Sequence, residues 1–274
     1  MKKILGLILA LMITVPSFAS LGISPTKLEI NANKVRANYF TTAIDVKGDI
    51  NTPMRFKVYP GYFTINSNGE VVMIEKSNGD AHDISKKIRY VPSEFTIIPG
   101  RSQKLRINIP NIKELADGES RAILYIEDIN PKEINLDTGR TGIGAQLIVK
   151  TRVGVPILVD KGKFTKKGEI EYFNIKKEKD GIYTEMKIVS TGNSRIGYTG
   201  KYQIIKGKEL IDEYEMERKT VGDNNFYVAK EKLKTDKIKG VGEYTIKAVL
   251  SYHDENGKKK NLTKETILKI QGEM

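Results

Sequence analysis

A two-residue rhythm constrains this chain more than any other feature. Apolar and polar side chains alternate in Met54-Arg55-Phe56-Lys57-Val58, Leu105-Arg106-Ile107-Asn108-Ile109, Thr184-Glu185-Met186-Lys187-Ile188 and Tyr244-Thr245-Ile246-Lys247-Ala248. A period of two sends successive side chains to opposite faces of an extended strand, so each run offers one face to a core and the other to water. Asn68-Gly69, Asn78-Gly79, Asp180-Gly181 and Asn256-Gly257 punctuate such runs. These dipeptides tolerate the positive φ angles of tight hairpin turns. No long helical stripe is present; Ile112 to Ala116 and Val228 to Lys234 each have room for one helical turn. The pattern predicts an all-β chain of antiparallel sandwiches. The apolar strand Val153–Val159 gives way to the polar Asp160-Lys161-Gly162-Lys163. That change predicts one domain over residues 20–159 and another over 160–274, both of ordinary domain size.

The first residues address the chain. Met1-Lys2-Lys3, the apolar run Ile4 to Val15 and the segment Pro16-Ser17-Phe18-Ala19 read as a secretory signal peptide over 1–19, cut after Ala19. The run falls short of the roughly 20 residues that cross a bilayer. No later stretch is apolar enough to do so, and the mature chain is expected to carry no integral membrane segment.

Composition narrows the chemistry. With no Cys among 274 residues, disulfide scaffolds, thiolate-bound metals and thiol nucleophiles are excluded. His82 and His253 are the only histidines, which argues against a His-based metal site or catalytic network. His253-Asp254-Glu255 adjoins Asn256-Gly257 and reads as a solvated hairpin tip; His82 sits in the polar loop Gly79-Asp80-Ala81-His82-Asp83. Asp137-Thr138-Gly139 lacks the second carboxylate loop of an aspartic protease. Gly139, Gly142 and Gly144 are followed by a strand pattern and not by a phosphate-binding helix. The net charge is +12, from 46 basic and 34 acidic residues, with Lys interleaved among Glu and Asp. That argues against a nucleic-acid stripe. The reading is a chain that is not an enzyme and needs no cofactor, metal or nucleic acid.

Four blocks then resemble, in order, the periplasmic pilus (fimbrial) assembly chaperones, the PapD-like family. They are Ile23-Ser24-Pro25-Thr26-Lys27-Leu28-Glu29-Ile30, the turn and strand Ile98-Pro99-Gly100-Arg101-Ser102-Gln103-Lys104-Leu105-Arg106, the strand Asp117 to Pro131 with Glu119-Ser120, and Gly144-Ala145-Gln146-Leu147-Ile148-Val149-Lys150-Thr151-Arg152-Val153. The match covers about residues 21–160; the second domain matches only as another Ig-like module. The resemblance implies two Ig-like antiparallel β-sandwich domains set at an angle, working in the periplasm.

It also implies a mechanism. Subunits of such fibres have an incomplete sandwich, and the chaperone lends a strand to fill the gap. The donor strand here would be Ile143, Ala145, Leu147 and Val149, although Ile148, also apolar, leaves open a strand buried on both faces. In the family two basic residues between the domains grip the subunit's C-terminal carboxylate. Lys27 stands at the first position; Gly154 stands at the second, where the family has Lys. Arg152, two residues earlier and on the same strand face, is the expected replacement. The implied partners are pilus subunits and an outer-membrane usher, and an unused donor strand would allow a self-capping homodimer. The competing reading is a secreted structural or adhesive Ig-like protein, either a surface subunit or a binder of anionic polymers.

Overall fold

Strand alternation becomes two stacked pairs of sheets in a computed structural model that describes residues 21–74, 79–130, 132–136 and 145–271. The signal-peptide reading falls outside these residues. The first half comprises β1 (Gly22–Ser24), β2 (Leu28–Asn31), β3 (Tyr39–Lys47), β4 (Met54–Ile65), β5 (Val71–Ile74) and β6 (Arg89–Val91). It continues with β7 (Glu94–Ile97), β8 (Ser102–Pro110), β9 (Gly118–Asp128), β10 (Lys132–Leu136), β11 (Ala145–Val149) and β12 (Arg152–Lys161). One sheet runs β1-β3-β8-β6 and the other β2-β12-β9-β4-β5, with β7 also on β4. Between them lies a core in which Ile44, Leu105 and Ile107 meet Phe56, Leu124, Val155 and Ile157.

The second half comprises β13 (Gly168–Glu178), β14 (Gly181–Ser190), β15 (Ile196–Lys206), β16 (Glu209–Val221), β17 (Phe226–Lys232), β18 (Gly242–His253) and β19 (Lys259–Ile270). Its sheets run β13-β14-β17 and β16-β15-β18-β19. They enclose a separate core around Met186, Ile188, Tyr202, Ile246 and Leu250. The Tyr202 hydroxyl is not orphaned there, because Thr184 Oγ1 donates to it at 3.0 Å, as a buried phenol requires.

The four alternating runs lie in β4, β8, β14 and β18, with their alternate residues buried. Gly69, Gly181 and Gly257 adopt positive φ in hairpin turns; Asn78 lies outside the described residues. Ile112–Glu114 forms one 3-10 turn with Ile112 buried. The second expected turn is not helical. Val228 to Lys232 belongs to β17, where Ala229 pairs with Met186 of β14, and a ladder partner outweighs the weak helical preference of this short segment. Among the described residues no helix is long and apolar enough to cross a membrane.

The sheet of β9 and β12 carries apolar groups on both faces, and this matters for function. Nine consecutive residues of β9, Gly118 to Ile126, are buried. Ala122, Leu124 and Ile126 enter the main core. Ile123 and Tyr125 point the other way and join Phe63, Ile65 and Leu158 in a smaller cluster. That outer face is where the second half docks.

Candidate functional site

Three features converge around this face: a projecting ribbon, a cleft between the halves, and a charged junction behind the cleft.

The ribbon continues β9 and β12 beyond the sandwich. Its base is closed by the Asp128 N–H donating to the Thr151 carbonyl at 2.9 Å. Beyond it β10 and β11 pair antiparallel, with Leu136 opposite Ala145, Ile134 opposite Leu147 and Lys132 opposite Val149. Period-two geometry sets Ala145, Leu147 and Val149 on one face of this ribbon. Among the described residues β11 pairs with β10 alone, which leaves its second edge free of a backbone ladder. Ile148 is 56% exposed and Val149 38%. At these two positions the alternative of a strand buried on both faces is not met, because both side chains are exposed. Ile143 lies outside the described residues, as do Asp137-Thr138-Gly139 and the glycines 142 and 144.

The cleft has a volume of about 440 Å³ and takes walls from both halves. Phe63 and Ile65 of β4 and Pro156 and Leu158 of β12 supply its apolar floor; Lys27, Lys166, Arg195, Arg218 and Lys219 bring cations to it. Lys27 reaches it because β2 runs parallel to β12, with Leu28 beside Ile157. Its ammonium pairs with Glu29 at 3.0 Å. His253, the end of β18, also lines the cleft, while the rest of that tip is a solvated turn in which Asn256 and Lys258 donate N–H groups to Asp254 at 3.0 and 2.8 Å.

Arg152 is placed elsewhere. Its parity puts it on the sheet face of Pro156 and Leu158, but it lies four residues, or about 13 Å, from Pro156 along β12. Its guanidinium sits 4.6 Å from the centre of the Tyr125 ring and donates to the Tyr59 hydroxyl at 3.2 Å. Lys27 and Arg152 are therefore not brought together in the cleft. A side chain at Gly154 requires Ile123 to shift. A Cβ there would overlap Cδ1 of Ile123 and lie 3.0 Å from its Cγ1. Gly154→Lys is expected to destabilise the chain by about 1–3 kcal/mol through overpacking, measured as a lower denaturation midpoint, without creating a carboxylate grip.

Behind the cleft the halves are joined by charge. Glu119 of β9 is fully buried, and Arg195, just before β15, pairs with it and also with Glu29 at 2.6 Å. Ser194 Oγ donates to Asp160 at 2.6 Å, and Lys166 pairs with Asp160 at 2.8 Å. Arg121 reaches Asp223. Backbone ties add the Glu119 N–H to the Asn193 carbonyl at 3.0 Å. Asn225 also donates to the Ile65 carbonyl at 2.7 Å. Sequence reading missed this junction. Its signal was a glutamate and an arginine, Glu119 and Arg121, directly before the apolar run Ala122 to Ile126 of the same strand; such charges are buried only when paired.

Partial burial alone would raise the Glu29 carboxyl, but Arg195 and Lys27 outweigh it and hold the group at about 2. An unfolded glutamate titrates near about 4.3, so this pairing stabilises the fold above that pH and is lost as pH falls toward about 2. Glu29 is half-exposed, which limits the contribution to about 1 kcal/mol. Denaturant midpoints measured from pH 5 down to 2 are expected to fall less steeply in Glu29→Gln.

His82 remains a loop residue: its carbonyl accepts the Arg121 N–H at 2.8 Å. Among the described residues no group of three or more His, Asp or Glu is placed to hold a metal ion.

No protein-family model and no curated protein matches this chain. It is similar in fold to solved structures of chaperones. A structure of the YadV chaperone shares 9% identity over 90% of this chain and 100% of its own, with a TM-score of 0.49. The class 5 fimbriae chaperone CfaA shares 13% over 90% and 99%, with a TM-score of 0.47. The CupB2 chaperone of Pseudomonas aeruginosa shares 9% over 90% and 100%, with a TM-score of 0.44. All three TM-scores lie below 0.5.

Proposed function

We propose that this chain is a periplasmic chaperone that captures fimbrial subunits, completing their unfinished sandwich with β11 and holding their C-terminal carboxylate in the cleft. One observation carries the reading: β11 stands in a ribbon outside its own sandwich, with one edge that pairs with no strand among the described residues and with Ile148 and Val149 exposed. A two-stranded ribbon of this kind gains little stability alone. A strand added at its free edge would gain main-chain hydrogen bonds and side-chain burial together. Each medium apolar side chain buried in a partner contributes about 1.5–3 kcal/mol before ordering costs. Three or four alternating residues are enough to hold a subunit that would otherwise aggregate.

The cleft supports the second part. A single carboxylate fits a polar rim over an apolar floor, with Lys27 as a point charge. The chain would act without catalysis or cofactor. Delivery to an outer-membrane usher, and a self-capped homodimer in the absence of subunit, belong to the same reading.

Co-expression with small exported proteins encoded beside this gene tests it. A stable one-to-one complex recovered from the periplasmic extract is expected. Recovery of the mature chain within surface fibres would instead support the structural or adhesive reading.

A further inference from the structure

The cleft contains a cation for which the sequence reading had no role. Of its Lys and Arg residues, Lys27 pairs with Glu29, Lys166 with Asp160, Arg195 with Glu29 and Glu119, and Lys219 with Glu217. Arg218 alone has no carboxylate partner among the described residues. Its position has a local cause. Between the pairs Tyr198–Lys219 and Gly200–Met216 the register of β15 and β16 shifts, so Glu217 and Arg218 together oppose Thr199. Such a bulge re-aims side chains out of the normal alternation. Here the guanidinium lies over Gly197, where a Cβ would be 3.9 Å from its Nη2. Gly197 and Arg218 both line the cleft.

We propose that Arg218 is the second grip on the captured polypeptide's C-terminal carboxylate, supplied by the second half in place of a basic residue at Gly154. The inference rests on the reading that the cleft takes that carboxylate, and it goes further by assigning the anchor to β16 instead of Arg152. An unpaired guanidinium keeps its donor fork free for two carboxylate oxygens, while Lys27 adds a single charge. Because β16 belongs to the second half, binding a carboxylate would also tie the halves together across the cleft.

The test compares two synthetic peptides of the same alternating apolar sequence, one ending in a free carboxylate and one in an amide. Binding to the full mature chain is followed by fluorescence anisotropy. The wild type is expected to prefer the free acid by about tenfold or more. In Arg218→Gln the preference should fall below about twofold with amide binding unchanged, and Arg218→Lys should lie between. Arg152→Ala should keep the wild-type preference. Arg218 is exposed, and circular dichroism of each variant checks that it folds. A preference that survives Arg218→Gln, or that collapses in Arg152→Ala, overturns the assignment and leaves carboxylate capture standing. Equal wild-type binding of the two peptides overturns carboxylate capture and the assignment with it. No binding of either peptide overturns the strand-capture reading on which both rest.

Discussion

Leu147→Asp is expected to abolish capture of a subunit, with the melting temperature of the free chain moving by less than about 2 °C. Leu147 is the middle residue of β11 and pairs with Ile134, in a ribbon whose neighbouring Ile148 and Val149 are exposed. On the strand-lending reading, an aspartate there is solvated in the free chain. In a complex it would lie between two polypeptides. The substitution removes about 1.5–3 kcal/mol of apolar burial and adds the cost of a carboxylate with no partner. Together these amount to a loss of at least about a thousandfold in affinity. Retention of a tagged subunit and thermal melting are read on the same preparation. A variant that melts far earlier than wild type would make β11 a core strand of its own domain and remove the basis for strand lending.

Arg195→Ala is expected to destabilise the chain strongly. Arg195 neutralises Glu119, whose side chain is fully buried, and also holds Glu29. Burial opposes the Arg195 charge, yet Glu119 and Glu29 raise its pKa further, so the guanidinium stays charged in the folded chain. Removing the guanidinium leaves the buried Glu119 with Arg121 alone, whose Nε lies 3.6 Å away, at a cost of about 3 kcal/mol. Urea denaturation measures it. Pairing Arg195→Met with Glu119→Leu should recover most of the loss, because a packed apolar pair can match a buried ion pair. A loss below about 1 kcal/mol in the single variant would show that solvent reaches Glu119 and that charge does not lock the halves.

The strand content was legible because burial follows parity. Met54, Phe56 and Val58 are buried while Arg55 and Lys57 are exposed, as the written alternation requires. The hairpins at Gly69, Gly181 and Gly257 were legible through the backbone angles those residues adopt. Val228 to Lys232 was misread because nothing local records that β14 waits to pair with it. The place of Lys27 at the cleft was legible because it sits in a recognisable block beside β2. Arg152 was not correctly placed, since parity gives a face but not a distance along it. The placement of Arg218 in the cleft was invisible: a bulge is a mismatch between two strands, here β15 and β16, and no single segment carries its signature. Glu119 and Arg195 lie 76 residues apart in sequence, and their meeting depends on how the halves dock.

Hydrogen–deuterium exchange at the amides of Ala145 to Val149 tests the central claim most directly. Strand lending predicts a marked fall in exchange when a subunit is added, centred on β11 and absent from the core strands β9 and β12, which are already protected. Protection of β11 that is complete in the free monomer, or unchanged in a verified complex, would contradict it.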